Sequence, residues 1–137
     1  MTLRERRVKF TRLLADLLIW IRSQGWEVAL DECTVHSPRA ARKGVQRLVV
    51  EDAVHKRGSK HHSGEASDLL LYDDLDGDGE DDDYIADGDD HRWIAIAHQW
   101  ESMDPLCTSG IRWHDANHVS FGEGSKAISL DTVLKGK

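Results

Sequence analysis

Phe10, Leu13, Leu14, Leu17, Leu18 and Ile21 recur at intervals of three and four, with basic and polar residues between them. That spacing is one buried face of an amphipathic helix. The chain is therefore expected to open with a helix over Arg4–Ser23, stopped by Gly25. From Trp26 to Leu30 the period shortens to two, which predicts a strand. Ser37-Pro38 has the form of a helix start, with serine as the cap and proline in the first turn. A helix from Arg39 to His55, closed by Gly58, is expected to follow. Ser67–Tyr72 is a short apolar run of the kind a central strand shows. Asp89–Met103 returns to helical spacing, with Trp93, Ile96, Ala97 and Trp100 on one face. Ile111–Trp113 and His118–Phe121 are expected as two short strands flanking a turn, and the tail from Ser125 has little pattern. Helices and strands mix without βαβ alternation, so the fold class is predicted to be α+β, with no internal repeat.

A chain of 137 residues suffices for one domain with a real core but not for two. The formal net charge of −7 hides an asymmetry. Asp73 to Asp90 holds eleven of the 25 acidic residues and no lysine or arginine. Outside that segment 18 basic residues face the remaining acids, a net charge of about +4. The protein is a mildly basic body with one very acidic loop. Such a body suits an anionic polymer, nucleic acid or bacterial cell wall, although surface charge also serves solubility alone. The two cysteines, Cys33 and Cys107, have no metal-site spacing and fit buried thiols in a reducing compartment. Leu13–Ile21 is interrupted by Asp16, is too short to span a bilayer and is followed by no small-residue cleavage site. Neither membrane insertion nor a signal peptide is expected.

Two short stretches carry candidate chemistry. In SKHHSGEASD, His61 and Asp68 lie seven residues apart across Gly64, at the mouth of the apolar run. A chain that reverses at Gly64 can bring a loop histidine and a strand aspartate to one metal ion; the plainer alternative is a solvated polar turn. In WHDANHVSF, Asp115 and His118 have the spacing D-x-x-H. With His118 as a third ligand, Asp115 stands where a general base deprotonates a zinc-bound water. Read alone, Asp115 and Asn117 are ordinary turn formers.

Taken together, Ser59, His61, Gly64, Ala66 and Asp68 complete the pattern S-x-H-x-x-G-x-A-x-D, and D-x-x-H follows before the chain ends. The pair resembles the zinc peptidases of the D-Ala-D-Ala carboxypeptidase and L-alanyl-D-glutamate peptidase family, which have the hedgehog/DD-peptidase fold, and phage endolysins among them. The resemblance runs from about Phe10 to Phe121 and takes in Trp100-Glu101, which look like the Trp-Glu pair of the family's penultimate helix. It implies a single compact domain over residues 1–137, a small antiparallel sheet with flanking helices, and the acidic loop 73–90 inserted. It implies Zn2+ held by His61, Asp68 and His118, with Asp115 as general base. It also implies cleavage of the peptide stem of bacterial peptidoglycan, the L-Ala-D-Glu endopeptidase type being favoured. The expected partner is peptidoglycan, not nucleic acid, and the expected state a monomer. As a phage lysis enzyme, it would be made in the host cytoplasm and reach the wall after release. Ser59, His36 and Trp113 are the expected substrate contacts. Many relatives carry an arginine where this chain has His36, so Arg39, Arg42 or His36 is left to stabilise the oxyanion. Ser120 is expected to face substrate. The competing readings are a non-catalytic, metal-containing domain that binds cell wall or protein, and a calcium-binding structural protein.

The second of these draws on the acidic loop. Asp74, Asp76, Asp78 and Gly79 match D-x-D-x-D-G, the first half of a calcium loop, with Glu80 and Asp82 at its later ligand positions. The twelfth position, which should be a bidentate glutamate, is Ile85; Asp83 or Asp87 is left to complete the set. A Ca2+ site and a merely solvated insertion are the two expectations.

Overall fold

The structure is a computed structural model that describes residues 1–31, 63–122, 126 and 128–136. The expected helix over Arg39–His55 lies outside the described residues, as do Cys33, His36, Arg39, Arg42, Ser59 and His61.

The first element, α1 (Leu3–Ser23), starts in a capping box. The Thr2 hydroxyl accepts from the Glu5 N–H, and the Glu5 carboxylate accepts from the Thr2 N–H at 2.8 Å. It ends at Gln24, with Gly25 at φ +90°, a conformation that side chains with a Cβ rarely adopt. Phe10, Leu14, Leu17 and Ile21 are buried, and Leu13 and Leu18 pack at their margin. The sequence periodicity predicted that face.

Among the described residues, five strands form one antiparallel sheet: β1 (Glu27–Leu30), β2 (Ala66–Asp73), β3 (Asp83–Tyr84), β4 (Cys107–Ser109) and β5 (His118–Phe121). Their order is β1-β2-β5-β4, with β3 paired to the far end of β2. The long strand β2 is the spine. Its C-terminal half pairs with β1, Glu27 opposite Tyr72 and Leu30 opposite Leu69. Its N-terminal half pairs with β5, Ala66 opposite Ser120 and Asp68 opposite His118. Leu69 and Leu71 point into the core, while Asp68 and Leu70 alternate to the other face.

One face of the sheet is covered by α1 and by α2 (His91–Met103), capped by Asp90. Leu69, Leu71, Cys107, Val119 and Phe121 meet Trp93, Ile96 and Trp100 there. Phe10 and Trp100 pack edge to face, and the Trp100 indole N–H donates to Ser120 O at 3.1 Å. Burial pushes the Cys107 thiol up to about 12, so it acts as a small apolar group. A short helix, α3 (Leu130–Lys135), forms in the tail, capped by Ser129. The architecture is α+β.

Ile111–Trp113 differs from expectation. It lies in a 3₁₀ turn over Gly110–Trp113, and the neighbouring strand is β4. The Ser109 hydroxyl accepts from the Ile111 N–H, which starts a helical turn in place of extended chain. The acidic segment is also not all loop: Asp73 ends β2, Asp83 and Tyr84 form β3, and Asp90 caps α2.

Candidate metal centre

Asp68 and His118 come together because β2 and β5 pair in one register. Cross-strand partners point to the same face, here the one turned away from the packed helices. Nδ1 of His118 lies 3.4 Å from Oδ1 of Asp68 and 4.0 Å from Oδ2 of Asp115. One oxygen from each aspartate and the imidazole nitrogen all fall within 4.8 Å of one another. The side chains of His118 and Asp68 are 12% and 16% exposed, that of Asp115 48%. The group therefore sits in a recess with Asp115 at its mouth.

The spacing tests whether a metal fits. At 3.4 Å the Asp68–His118 contact is longer than the usual N–H···O hydrogen bond. Two ligands each about 2.0–2.1 Å from a tetrahedral zinc ion lie about 3.4 Å apart. Two carboxylates and one imidazole are also a donor set that zinc accepts. The residues fit a divalent metal. Of the expected ligands, Asp68 and His118 meet in this group; His61 lies outside the described residues. Asp115, expected as a base, is within reach of the same point.

The turn that presents Asp115 and His118 is built from the sheet and held from outside. The Asp115 N–H donates to Gly110 O at 2.9 Å, and the His118 N–H donates to Asp115 O at 3.0 Å. His114, just before Asp115, takes a left-handed φ of 65°. Gly110 is required at its position: a Cβ there would stand 2.3 Å from Asp115 O and 2.7 Å from the His118 Cβ. The Trp113 ring, half exposed, lies 5.5 Å from the His118 imidazole and forms one wall beside it.

Sequence reasoning singled out Glu101 but not its partner. The Glu101 carboxylate accepts from Arg112 Nε at 2.8 Å and from another guanidinium nitrogen at 2.7 Å, and also takes the Ser109 N–H. Burial alone would raise the Glu101 carboxyl, but Arg112 and Ser109 hold it below its ordinary value. Arg112 further donates to Ile128 O. This clamp fixes both ends of the 3₁₀ turn that leads into Asp115. A second clamp went unpredicted: Glu65, fully buried, accepts from Arg6 Nε at 2.7 Å and from the Ser63 hydroxyl at 2.8 Å. It ties the start of β2 to α1. Ser120, expected to face substrate, stands on the same face of β5 as His118. It is buried, and its hydroxyl donates to Thr108 O.

In the acidic loop, Asp74, Asp76 and Asp83 offer oxygens within 4.8 Å of one another; Asp78, Glu80 and Asp82 are not in that group. Asp74 accepts from the N–H groups of Gly77, Asp78 and Gly79, and Asp83 from those of Leu75 and Asp76. The Gly79 N–H leads in holding the Asp74 carboxyl below its usual value. Desolvation, then repulsion from Asp78, Asp83 and Asp76, raises Asp82.

A scan against protein-family models gives no match to this chain, and a search of the curated proteins gives none. Among the described residues, no helix is long and apolar enough to cross a membrane.

Proposed function

We propose that the chain is a zinc-dependent peptidase that cleaves the peptide stem of bacterial peptidoglycan, of the L-Ala-D-Glu endopeptidase type, and serves as a phage lysis enzyme. The observation that carries this reading is the convergence of Asp68, Asp115 and His118, drawn from two motifs that match the zinc-peptidase pattern as a pair. Asp68 and His118, with His61, would hold the metal. When bound, zinc supplies Lewis acidity and lowers the pKa of water to about 7. The chain's own contribution is positional. Asp115, at the mouth of the recess, takes a proton from the attacking water and returns it to the leaving amine. The Glu101–Arg112 clamp holds Asp115 at that place, and Trp113 limits approach from one side. Arg39, Arg42 or His36 supplies the positive group for the oxyanion.

Digestion of purified peptidoglycan sacculi with and without added zinc, read by mass spectrometry, tests this. New stem-peptide termini that depend on zinc and vanish in Asp115→Ala are expected, and they name the bond. If zinc binds and several wall types yield no new termini, the chain is a metal-containing binding domain instead.

For the acidic loop we infer a calcium site centred on Asp74, Asp76 and Asp83. Crowded hard oxygen donors whose charges repel one another favour a hard divalent cation. Thermal melting across millimolar calcium tests it.

A further inference from the structure

The buried carboxylate of Glu65 is not one of the candidate metal ligands, yet it stands three residues before Asp68. Both of its oxygens are engaged. Oε2 accepts from Arg6 Nε at 2.7 Å, and Oε1 accepts from the Ser63 hydroxyl at 2.8 Å. The next residue of α1, Arg7, donates from Nε to Ser63 O. Gly64 lies between, at a left-handed φ of 75°. Consecutive arginines of one helix thus grip the chain on both sides of Gly64, the glycine that separates His61 from Asp68 in the sequence motif.

The grip reaches the Asp68–His118 pair through the backbone. Glu65 O accepts from the Phe121 N–H at 2.9 Å, and the Leu69 N–H donates to Asn117 O at 2.9 Å. These two bonds bracket the stretch in which Ala66, Ser67 and Asp68 pair with Ser120, Val119 and His118. Asp68 and His118 are therefore a non-hydrogen-bonded pair, in which Cα atoms approach to about 4.5 Å and side chains stand close. The helix end of the grip is firm. Arg6 lies one turn before Phe10, which is buried edge to face against Trp100. Glu65 itself is 1% exposed, so loss of the guanidinium leaves its charge short of a partner in the interior. The turn relieves that by moving out towards water, and the bond to Phe121 moves with it.

We propose that Arg6 and Glu65 are positioning residues for the Asp68–His118 pair: through them α1 fixes the register and angle at which β2 delivers Asp68. They act through the strand, since neither belongs to the metal group. The consequence for zinc rests on the peptidase reading; the consequence for the strand pair does not.

The test sets the zinc affinity of the full chain, from competition with a chromophoric chelator, beside the melting temperature of the metal-free protein. Arg6→Met and Glu65→Gln should each raise the zinc Kd about ten-fold, as loss of an outer support does. The double variant should also show about a ten-fold rise, not a hundred-fold one, because the two residues act as a unit. Leu17→Ala, buried further along the same helix, should lower the melting temperature and leave the zinc Kd unchanged. Should Arg6→Met fail to fold, Glu65→Gln carries the comparison. An unchanged Kd in the folded variants overturns the proposal. So does a hundred-fold rise in the double variant, or a rise in Leu17→Ala equal to theirs, which would reduce the effect to general stability. If the wild type takes up no zinc, the peptidase reading fails, and the strand pair decides. An Hα–Hα NOE between Asp68 and His118 and slow exchange of the Phe121 N–H are then expected in the wild type and in Leu17→Ala, and both should be lost in Glu65→Gln. Their persistence in Glu65→Gln overturns the proposal.

Discussion

Asp68 and His118 are directly opposite one another in the β2–β5 ladder, and their facing atoms stand 3.4 Å apart. Two ligand-type side chains separated by fifty positions in sequence are thus brought together by backbone pairing. Substituting either by alanine should abolish zinc binding. Zinc at about a hundred times its Kd should stabilise the wild type by about 2.7 kcal/mol. Melting curves with and without zinc, with metal content measured on the same samples, check this. An Asp68→Ala variant that keeps its zinc-dependent shift would show that the metal sits elsewhere.

Gly110 is predicted to be the most sensitive backbone position near the site. Gly110→Ala drives a methyl group into Asp115 O and the His118 Cβ, so the turn must move. Because the ligands are misaligned rather than removed, zinc affinity should fall about ten- to a hundred-fold, as on loss of an outer-shell support. Competition with a chromophoric chelator measures it; unchanged affinity would mean that the turn adapts.

The Glu101–Arg112 pair makes a pH prediction. Both side chains are about nine-tenths buried, and removing one partner strands the other's charge, at a cost of roughly 3 kcal/mol. The Glu101 carboxyl is held below its ordinary value of 4.5, so its contribution is present above that pH and is lost as pH falls through the lowered folded-state value. Glu101→Gln should lower stability at neutral pH and flatten the acid limb of the stability curve. Urea unfolding from pH 3 to pH 7 gives both quantities, and parallel curves for the two proteins would refute the assignment.

Calcium should raise the melting temperature of the wild type, and Asp74→Asn or Asp83→Asn should remove most of that rise. Asp82→Asn, outside the cluster, should retain it. No shift at millimolar calcium would leave the loop as a solvated insertion.

Helices α1 and α2 and the central strand were legible because each buries a face several residues wide. Leu14, Leu17 and Ile21 repeat with the helical period, and Leu69 and Leu71 with the strand period. The short elements were not. Cys107–Ser109 is three residues long with no apolar alternation, and β3 has only two. Ile111–Trp113 has strand-like composition, but the Ser109 cap and Gly110 decide for a turn. At the site, the spacing of Asp115 and His118 and the position of Asp68 were readable. Arg112 was not, because its partner Glu101 is on another element and nothing local marks the pair. Within the acidic loop the spacing pointed to Asp78 and Asp82 and left Asp83 or Asp87 to complete the set; Asp83 joins the cluster because β3 carries it back alongside β2.

On the proposed function, the pairing of Asp68 with His118 would also make a bound metal a proofreader of folding. Strand side chains alternate faces, so a slip of one residue between β2 and β5 would send the two ligands to opposite sides of the sheet. A mis-zipped chain would keep most of its secondary structure yet be unable to load zinc. Metal uptake by a refolding sample would then count correctly registered molecules, before any substrate is added.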